Sequence, residues 1–209
     1  TWRALGDASD AMSLAAGDGT TMYIAGHDVF EVSRDGGRTW QAVASDLPGL
    51  DIHGFAQSPL DPERMWAYLA GGGVYESEDG GAQWTLRYSG HAPFLNAVSA
   101  DGAVELLALD PMAGIAHSTD DGATWSLVAS PPSTPVVSLT STIDGRIVIL
   151  GARDGIYRSD DGGRAWRQIL QVDLPLAIAV SDGGLVVATV TRTGAFFRSD
   201  DGGSSWPGQ

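Results

Sequence analysis

The sequence contains no cysteine and no lysine. Without cysteine there are no disulfides and no thiolate metal sites, so the fold must be held by packing and hydrogen bonds alone. Without lysine, arginine supplies all 12 strong bases, against 26 acids, and the formal net charge is -14. A field of that sign repels phosphate backbones and anionic lipid surfaces, which argues against nucleic acid as a partner. Apolar runs are short throughout. None approaches the length of a bilayer-spanning helix, so membrane insertion is not expected. Helical periodicity is also missing from every segment. The opening residues Thr1-Trp2-Arg3-Ala4 lack a basic region followed by an apolar stretch, so no signal peptide is expected within this chain.

What is abundant is glycine, at 28 residues, and tryptophan, at 7. Both fall into a repeat. Ser33-Arg34-Asp35-Gly36-Gly37-Arg38-Thr39-Trp40 recurs as Ser77-Glu78-Asp79-Gly80-Gly81-Ala82-Gln83-Trp84. It returns as Ser118-Thr119-Asp120-Asp121-Gly122-Ala123-Thr124-Trp125 and as Ser159-Asp160-Asp161-Gly162-Gly163-Arg164-Ala165-Trp166. The last copy is Ser199-Asp200-Asp201-Gly202-Gly203-Ser204-Ser205-Trp206. Successive serines lie 44, 41, 41 and 40 residues apart, and positions one, three, five and eight never vary. Each of the four has a physical task in a turn. The Asp carboxylate accepts from backbone N–H groups ahead of it, and the Ser hydroxyl braces the first residue. The glycine reaches positive φ, and the Trp buries a large ring as the chain leaves.

Between these turns the chain reads as short strands. Ile52–Ala56, Met65–Ala70, Gly73–Ser77 and Trp84–Tyr88 form one set, and Val136–Leu139, Arg146–Leu150, Gly155–Ser159 and Trp166–Leu170 another. Four strands per period of forty-odd residues is the arithmetic of a propeller blade. The expected fold is therefore an all-β propeller of four-stranded blades, as one domain over residues 1–209. Five blades are expected, the alternative being part of a six- or seven-bladed propeller. Trp2-Arg3-Ala4-Leu5 resembles the strand that follows a box and is expected to pair with Ala195–Arg198 as the outer strand of the last blade. Pro207 makes the chain after Trp206 a poor competitor for that edge.

The repeated turn resembles the Asp-box, or BNR repeat. That repeat is shared by sialidases, xyloglucan-cleaving glycosidases, sortilin-type receptors and photosystem II assembly-factor-like propellers. The resemblance implies the fold much more strongly than a function, because those relatives do unrelated things on one scaffold. It also implies a bacterial protein, secreted or periplasmic, similar to short Asp-box proteins loosely called glycosyl hydrolases.

Turn chemistry accounts for the box residues, so they are read as structural and not as a calcium loop, whose alternating ligand series is missing. Function is expected on the opposite, channel face, where second-to-third-strand turns and blade-crossing segments gather. Those segments carry His27, Asp28, Asp46, Asp51, His53, His91, Arg153, Asp154, Asp173 and Arg192. Of these, His27, Asp28, Asp51, His53, Arg153, Asp154 and Asp173 are the ligand-binding candidates. Asp51 and His53 sit two apart at the start of a strand, where alternate side chains point the same way. His/Asp clusters can bind zinc, yet four histidines in a loop-rich chain land on loops often enough that no metal and no cofactor are assigned. Two carboxyl groups across a sugar would make a glycosidase, with Asp28, Asp51, Asp154 and Asp173 available. Sialidase activity is not expected. All five tyrosines read as strand residues, and the family's Phe/Tyr-Arg-Ile-Pro motif is absent. The first expectation is a non-enzymatic binding or scaffold propeller for a protein or glycan, with a glycoside hydrolase as the alternative. Phe94 is the loop aromatic available for stacking on such a ligand, with Trp66 a second candidate that core packing explains as well.

Overall fold

The computed structural model describes residues 10–16, 20–110 and 114–207. It is an all-β propeller of five blades. The first blade runs β1 (Ala11–Ala16), β2 (Met22–Gly26), β3 (Val29–Ser33) and β4 (Gln41–Ala42). The second runs β5 (Ile52–Gln57), β6 (Met65–Leu69), β7 (Gly73–Ser77) and β8 (Thr85–Tyr88), and the third β9 (Phe94–Ala100), β10 (Ala103–Asp110), β11 (Gly114–Ser118) and β12 (Ser126–Ala129). In the fourth are β13 (Val136–Ser141), β14 (Val148–Ala152), β15 (Gly155–Ser159) and β16 (Arg167–Leu170). The fifth has β17 (Pro175–Val180), β18 (Val187–Thr191) and β19 (Phe196–Ser199), three strands among the described residues. Each sheet keeps chain order. The strand expected from Trp2 to Leu5 lies outside the described residues. Trp206 and Pro207 form no strand.

Burial explains the choice of residues. The second strands of the second and fourth blades are covered on both faces, and Met65-Trp66-Ala67-Tyr68-Leu69 and Val148-Ile149-Leu150-Gly151-Ala152 are buried at every position. Such a strand reads as a continuous apolar run instead of an alternating one. Fourth strands are short and largely exposed. The fourth blade's second strand starts at Val148, two residues later than the sequence suggests. There Thr142 and Asp144 build their own turn: the Thr142 hydroxyl donates to Asp144 Oδ1 at 2.6 Å, and the Arg146 amide donates to the same oxygen at 3.1 Å.

Four of the first strands share one irregularity. Their pairing with the second strand slips between Ala11 and Ser13, Ile52 and Gly54, Val136 and Ser138, and Pro175 and Ala177. A bulge of this kind re-aims the extra side chain. In the second blade that residue is His53.

Two compact units divide the chain. One holds the residues up to Ala97 with Val104–Ala108 and Ser118–Trp125. Its core packs Tyr23, Phe30, Phe55 and Met65 together, with the Phe30 and Phe55 rings 5.6 Å apart. A second cluster in the same unit joins Trp66, Tyr68, Val74 and Leu106 to the box residue Trp125. The other unit comprises Val98–Ala103, Leu109–His117 and the chain from Ser126 onward. There Ile147, Ile149, Ile156, Leu170 and Val187 pack with Trp206 at their margin.

Candidate functional site

Four of the boxes connect third strands to fourth, the fifth follows β19, and the geometry of all five repeats. Ser33 Oγ donates to Asp35 Oδ1 at 2.9 Å and accepts from the Gly37 amide at 2.8 Å. Asp35 Oδ1 also accepts the amides of Arg38 and Thr39, both at 2.9 Å, while its Oδ2 takes the Thr39 hydroxyl at 2.8 Å. Ser77, Ser118, Ser159 and Ser199 bond Asp79, Asp120, Asp161 and Asp201 in the same way. The invariant glycines Gly37, Gly81, Gly122, Gly163 and Gly203 all have φ between 81° and 92°, the left-handed region that glycine enters freely. Hydrogen bonds from the residue four positions on (Thr39, Thr124 or Ser205) hold Asp35, Asp120 and Asp201 down at about 2. These carboxylates are occupied by turn donors.

Four of the boxes also stitch to the first hairpin of a blade, the fifth box through Gly202 N, which donates to Leu185 O at 2.7 Å. Gly36 N donates to Thr20 O at 2.9 Å, Gly80 N to Glu63 O at 2.8 Å and Gly162 N to Arg146 O at 2.9 Å. Every second-to-third-strand turn therefore lies at the other end of its blade.

In the first unit, that other end brings His27, Asp51 and His53 together. His27 follows β2 and forms an antiparallel bridge with Asp51. The neighbouring amides fix the corner: Asp28 N donates to Leu50 O at 2.9 Å and Ala70 N to Asp51 O at 3.0 Å. His27 Nε2 then lies 3.1 Å from His53 Nε2 and 3.3 Å from Asp51 Oδ1, and His53 Nε2 lies 3.0 Å from the same oxygen. Simple strand alternation, the basis for pairing Asp51 with His53, is interrupted by the bulge, and the two still meet. Asp28 remains outside the cluster, exposed, with φ 56°. Its role is conformational, since Asp enters the left-handed region more readily than most residues.

Sequence reasoning missed Asp10. Its Oδ2 lies 2.8 Å from His27 Nδ1, and its carbonyl accepts the His27 amide at 3.2 Å. That hydrogen bond is the main reason the His27 imidazole is more basic than usual. No motif links residues 10 and 27, so nothing in the sequence could have paired them.

In the second unit, Arg153, Asp154, Gln171, Val172 and Asp173 line an open pocket of about 380 Å³. Arg153 and Asp154 form the turn between β14 and β15, and the blade-crossing segment brings Asp173 beside them through Leu174 N, which donates to Arg153 O at 3.0 Å. A hydrogen bond from Ser133 is the main cause holding the Asp154 carboxyl below its usual range, and Tyr157 adds another at 2.9 Å. The Arg153 guanidinium has no ion-pair partner among the described residues.

Two other residues lie elsewhere than expected. Asp46 serves a box, accepting the Trp84 amide on Oδ1 at 2.8 Å. Trp66 is fully buried, with its indole N–H donating to Asp121 O at 3.2 Å and the Arg64 guanidinium 5.1 Å from its ring. It is not available to a ligand. Phe94 starts β9 and is half-buried.

Residues 31–42, the first box and its flanks, match the family model described as BNR/Asp-box repeat. No curated protein matches the chain. Among solved structures it is similar to the GH74 enzyme of Niastella koreensis, at 18% identity and TM-score 0.68, over 94% of this chain and 37% of that one. It is also similar to a chain of a nidogen/laminin complex, at 14% identity and TM-score 0.71, over 94% and 78%. YCF48 bound to D1 peptide gives 17% identity and TM-score 0.56, over 94% and 80%. The chain spans little more than a third of the GH74 enzyme. Identities this low carry the fold alone. Motif and architecture together define an Asp-box β-propeller.

Proposed function

We propose that this propeller is a non-hydrolytic binding or scaffold module that takes a protein or glycan ligand at the edge opposite its Asp boxes. The observation that carries this reading is the pocket lined by Arg153, Asp154 and Asp173, in which the arginine has no ion-pair partner among the described residues. A guanidinium with free donors beside two carboxylates offers a polar ligand both donors and acceptors.

The competing glycoside hydrolase reading needs a carboxylic acid with a raised pKa to protonate the leaving oxygen. Asp154 is shifted the other way, and Asp51 is engaged by two imidazoles. Asp154 and Asp51 therefore suit acceptors better than acids. Two of the structural neighbours were solved with a peptide or in a laminin complex, so a protein ligand is tested first, beside a glycan.

The test screens the full chain on peptide and glycan arrays, with a parallel reducing-end assay on xyloglucan. At least one array ligand should bind, and Arg153→Ala should weaken it about tenfold or more, as truncation at the centre of a site does, with the melting temperature unchanged. Release of new reducing ends would overturn the non-hydrolytic reading. Hits indifferent to both Arg153→Ala and Asp173→Asn would place recognition elsewhere.

A further inference from the structure

The cluster in the first unit is not part of that pocket and has a chemistry of its own. We propose that His27, Asp51 and His53 form a binding site for a divalent transition-metal ion, Zn²⁺ being the first candidate, with a further coordination position open to water or to a ligand donor.

The spacing of the three ligand atoms carries the inference. Their separations are 3.0, 3.1 and 3.3 Å. An ion bonded to nitrogen and oxygen at about 2.0–2.1 Å sets its ligands about 3.3–3.4 Å apart when tetrahedral and about 2.8–3.0 Å apart when octahedral. The observed triangle falls between those limits, so one ion can reach all three atoms at ordinary bond lengths. The identity of the donors narrows the class. Two imidazoles and one carboxylate suit zinc and its transition-metal neighbours, whereas calcium and magnesium take oxygen ligands.

The protons lead to the same conclusion. Asp10 accepts at His27 Nδ1, at 2.8 Å. In neutral His27 that bond places the ring proton on Nδ1 and turns the Nε2 lone pair toward Asp51 and His53. Asp51 Oδ1 is an acceptor as well. The one proton His53 could place on Nε2 must then serve two acceptors at once. A cation at the centre satisfies all three atoms together. Asp10 supplies the outer carboxylate that metal-binding histidines commonly have, fixing the tautomer and orienting the ring.

The backbone prepares this corner. The His27–Asp51 bridge and the amides of Asp28 and Ala70 hold the two segments in register, and the bulge directs His53 toward them. The side chains of His27, Asp51 and His53 are 39%, 58% and 33% exposed. An ion can enter, and a further ligand can reach it. Read alone, the sequence offers its His/Asp segments as zinc ligands only in a general way, and no metal is assigned from it.

The test strips the 209-residue chain with EDTA and titrates it calorimetrically with ZnCl₂, using Co²⁺ absorption to report coordination. One equivalent should bind the parent. His27→Gln, Asp51→Asn and His53→Gln should each weaken binding at least about 100-fold, and Asp10→Asn about 10- to 100-fold, the usual range for an outer-shell partner. His117→Gln, on β11 and outside the cluster, should bind as the parent does. Absence of stoichiometric binding to the parent overturns the proposal. So does binding that His53→Gln leaves intact, which would mean scattered surface histidines. Glutamine keeps an amide donor for Asp51, and melting in EDTA checks that each variant folds. If His53→Gln does not fold, Asp10→Asn decides the matter through the rise in melting temperature on adding ZnCl₂. The rise should be smaller than the parent's, and an equal rise overturns the site.

Discussion

Blades four and five contain the same six residues in a row, Arg158-Ser159-Asp160-Asp161-Gly162-Gly163 and Arg198-Ser199-Asp200-Asp201-Gly202-Gly203. Their turns are near copies. Ser159 and Ser199 each donate to the box aspartate at 2.7 Å, and the Gly163 and Gly203 amides return to the serines at 2.8 Å. Each arginine also pairs with the acid two positions on, Arg158 with Asp160 at 2.8 Å and Arg198 with Asp200 at 2.6 Å. The surroundings differ. The Arg158 side chain is 9% exposed, and its Nη1 donates to the carbonyls of Gly184 at 2.5 Å and Gly202 at 3.3 Å. The Arg198 side chain is 55% exposed. A hexapeptide therefore fixes its own turn, while the next blade decides what its arginine contributes to stability.

The largest effect is expected at Arg158. Arg158→Ala removes a charged donor from two backbone carbonyls and leaves a gap between blades four and five. Charge-assisted bonds of this kind, with a buried acceptor left bare, correspond to a loss of about 2–4 kcal/mol. Arg158→Lys should recover only part of it, because an ammonium is a point donor and cannot reproduce the guanidinium fork. Urea denaturation at neutral pH measures both. A loss below that of the corresponding Arg198 variant would break the comparison.

The same contrast separates what the sequence revealed from what it hid. All five boxes were legible, because each turn is closed by residues within four positions of its aspartate. The strands were legible for a similar reason, since apolar runs bounded by glycine turns admit few other readings. Long-range partners were not. Trp66 could not be told from a surface aromatic until Asp121, 55 residues away, was seen to accept its indole N–H. Asp46 and Asp10 were misplaced or missed because an isolated acid carries no local mark of the amide or imidazole it meets. Arg153, Asp154 and Asp173 were legible as neighbours because they occupy a turn and the crossing segment beside it. That Asp51 and His53 come within reach of His27 on the preceding blade was legible too, but the contact itself needed the bridge and the bulge, and neither has a signature in one sequence.

A smaller effect is expected in the two turns themselves, somewhat larger at Asp201, whose Oδ2 also takes the Ser205 hydroxyl at 2.6 Å where the fourth blade has Ala165. Asp161→Ala and Asp201→Ala each remove acceptors for local amides, so each should lower the melting temperature by about 3–6 °C. Acid should reduce the difference from the parent. Both carboxyls are depressed in the folded protein, Asp201 to about 2, with hydrogen bonds from Ser205 as the main cause for Asp201 and from Ala165 for Asp161. A carboxyl with a depressed folded pKa contributes its full stability above its unfolded value near pH 4 and loses it as pH falls toward the folded one. For Asp201 the melting curves of parent and variant should converge between about pH 4 and pH 2, and for Asp161 the gap should narrow as pH falls below the unfolded value. A gap that did not shrink in acid would mean that the aspartates act through shape and not through charge.

The smallest effect is expected at Arg198. Arg198→Ala removes an exposed ion pair with Asp200, in which Nη2 donates at 2.6 Å and Nε at 2.9 Å. Short distances do not make such a pair strong. Both side chains are more than half exposed, so water solvates each charge when the pair opens, and ordering two flexible side chains opposes the attraction. Pairs of this kind contribute about 0–1 kcal/mol, less at high salt. The variant should therefore unfold within about 0.5 kcal/mol of the parent at 0.15 M salt, and any difference should vanish at 1 M. Arg158→Ala should keep most of its loss in the same salt series, because its carbonyl partners are dipoles in a buried site and are poorly screened. Urea midpoints of both variants at the two salt concentrations measure the contrast. An Arg198→Ala loss as large and as salt-resistant as that of Arg158→Ala would mean that exposure does not govern the energetics of these two arginines.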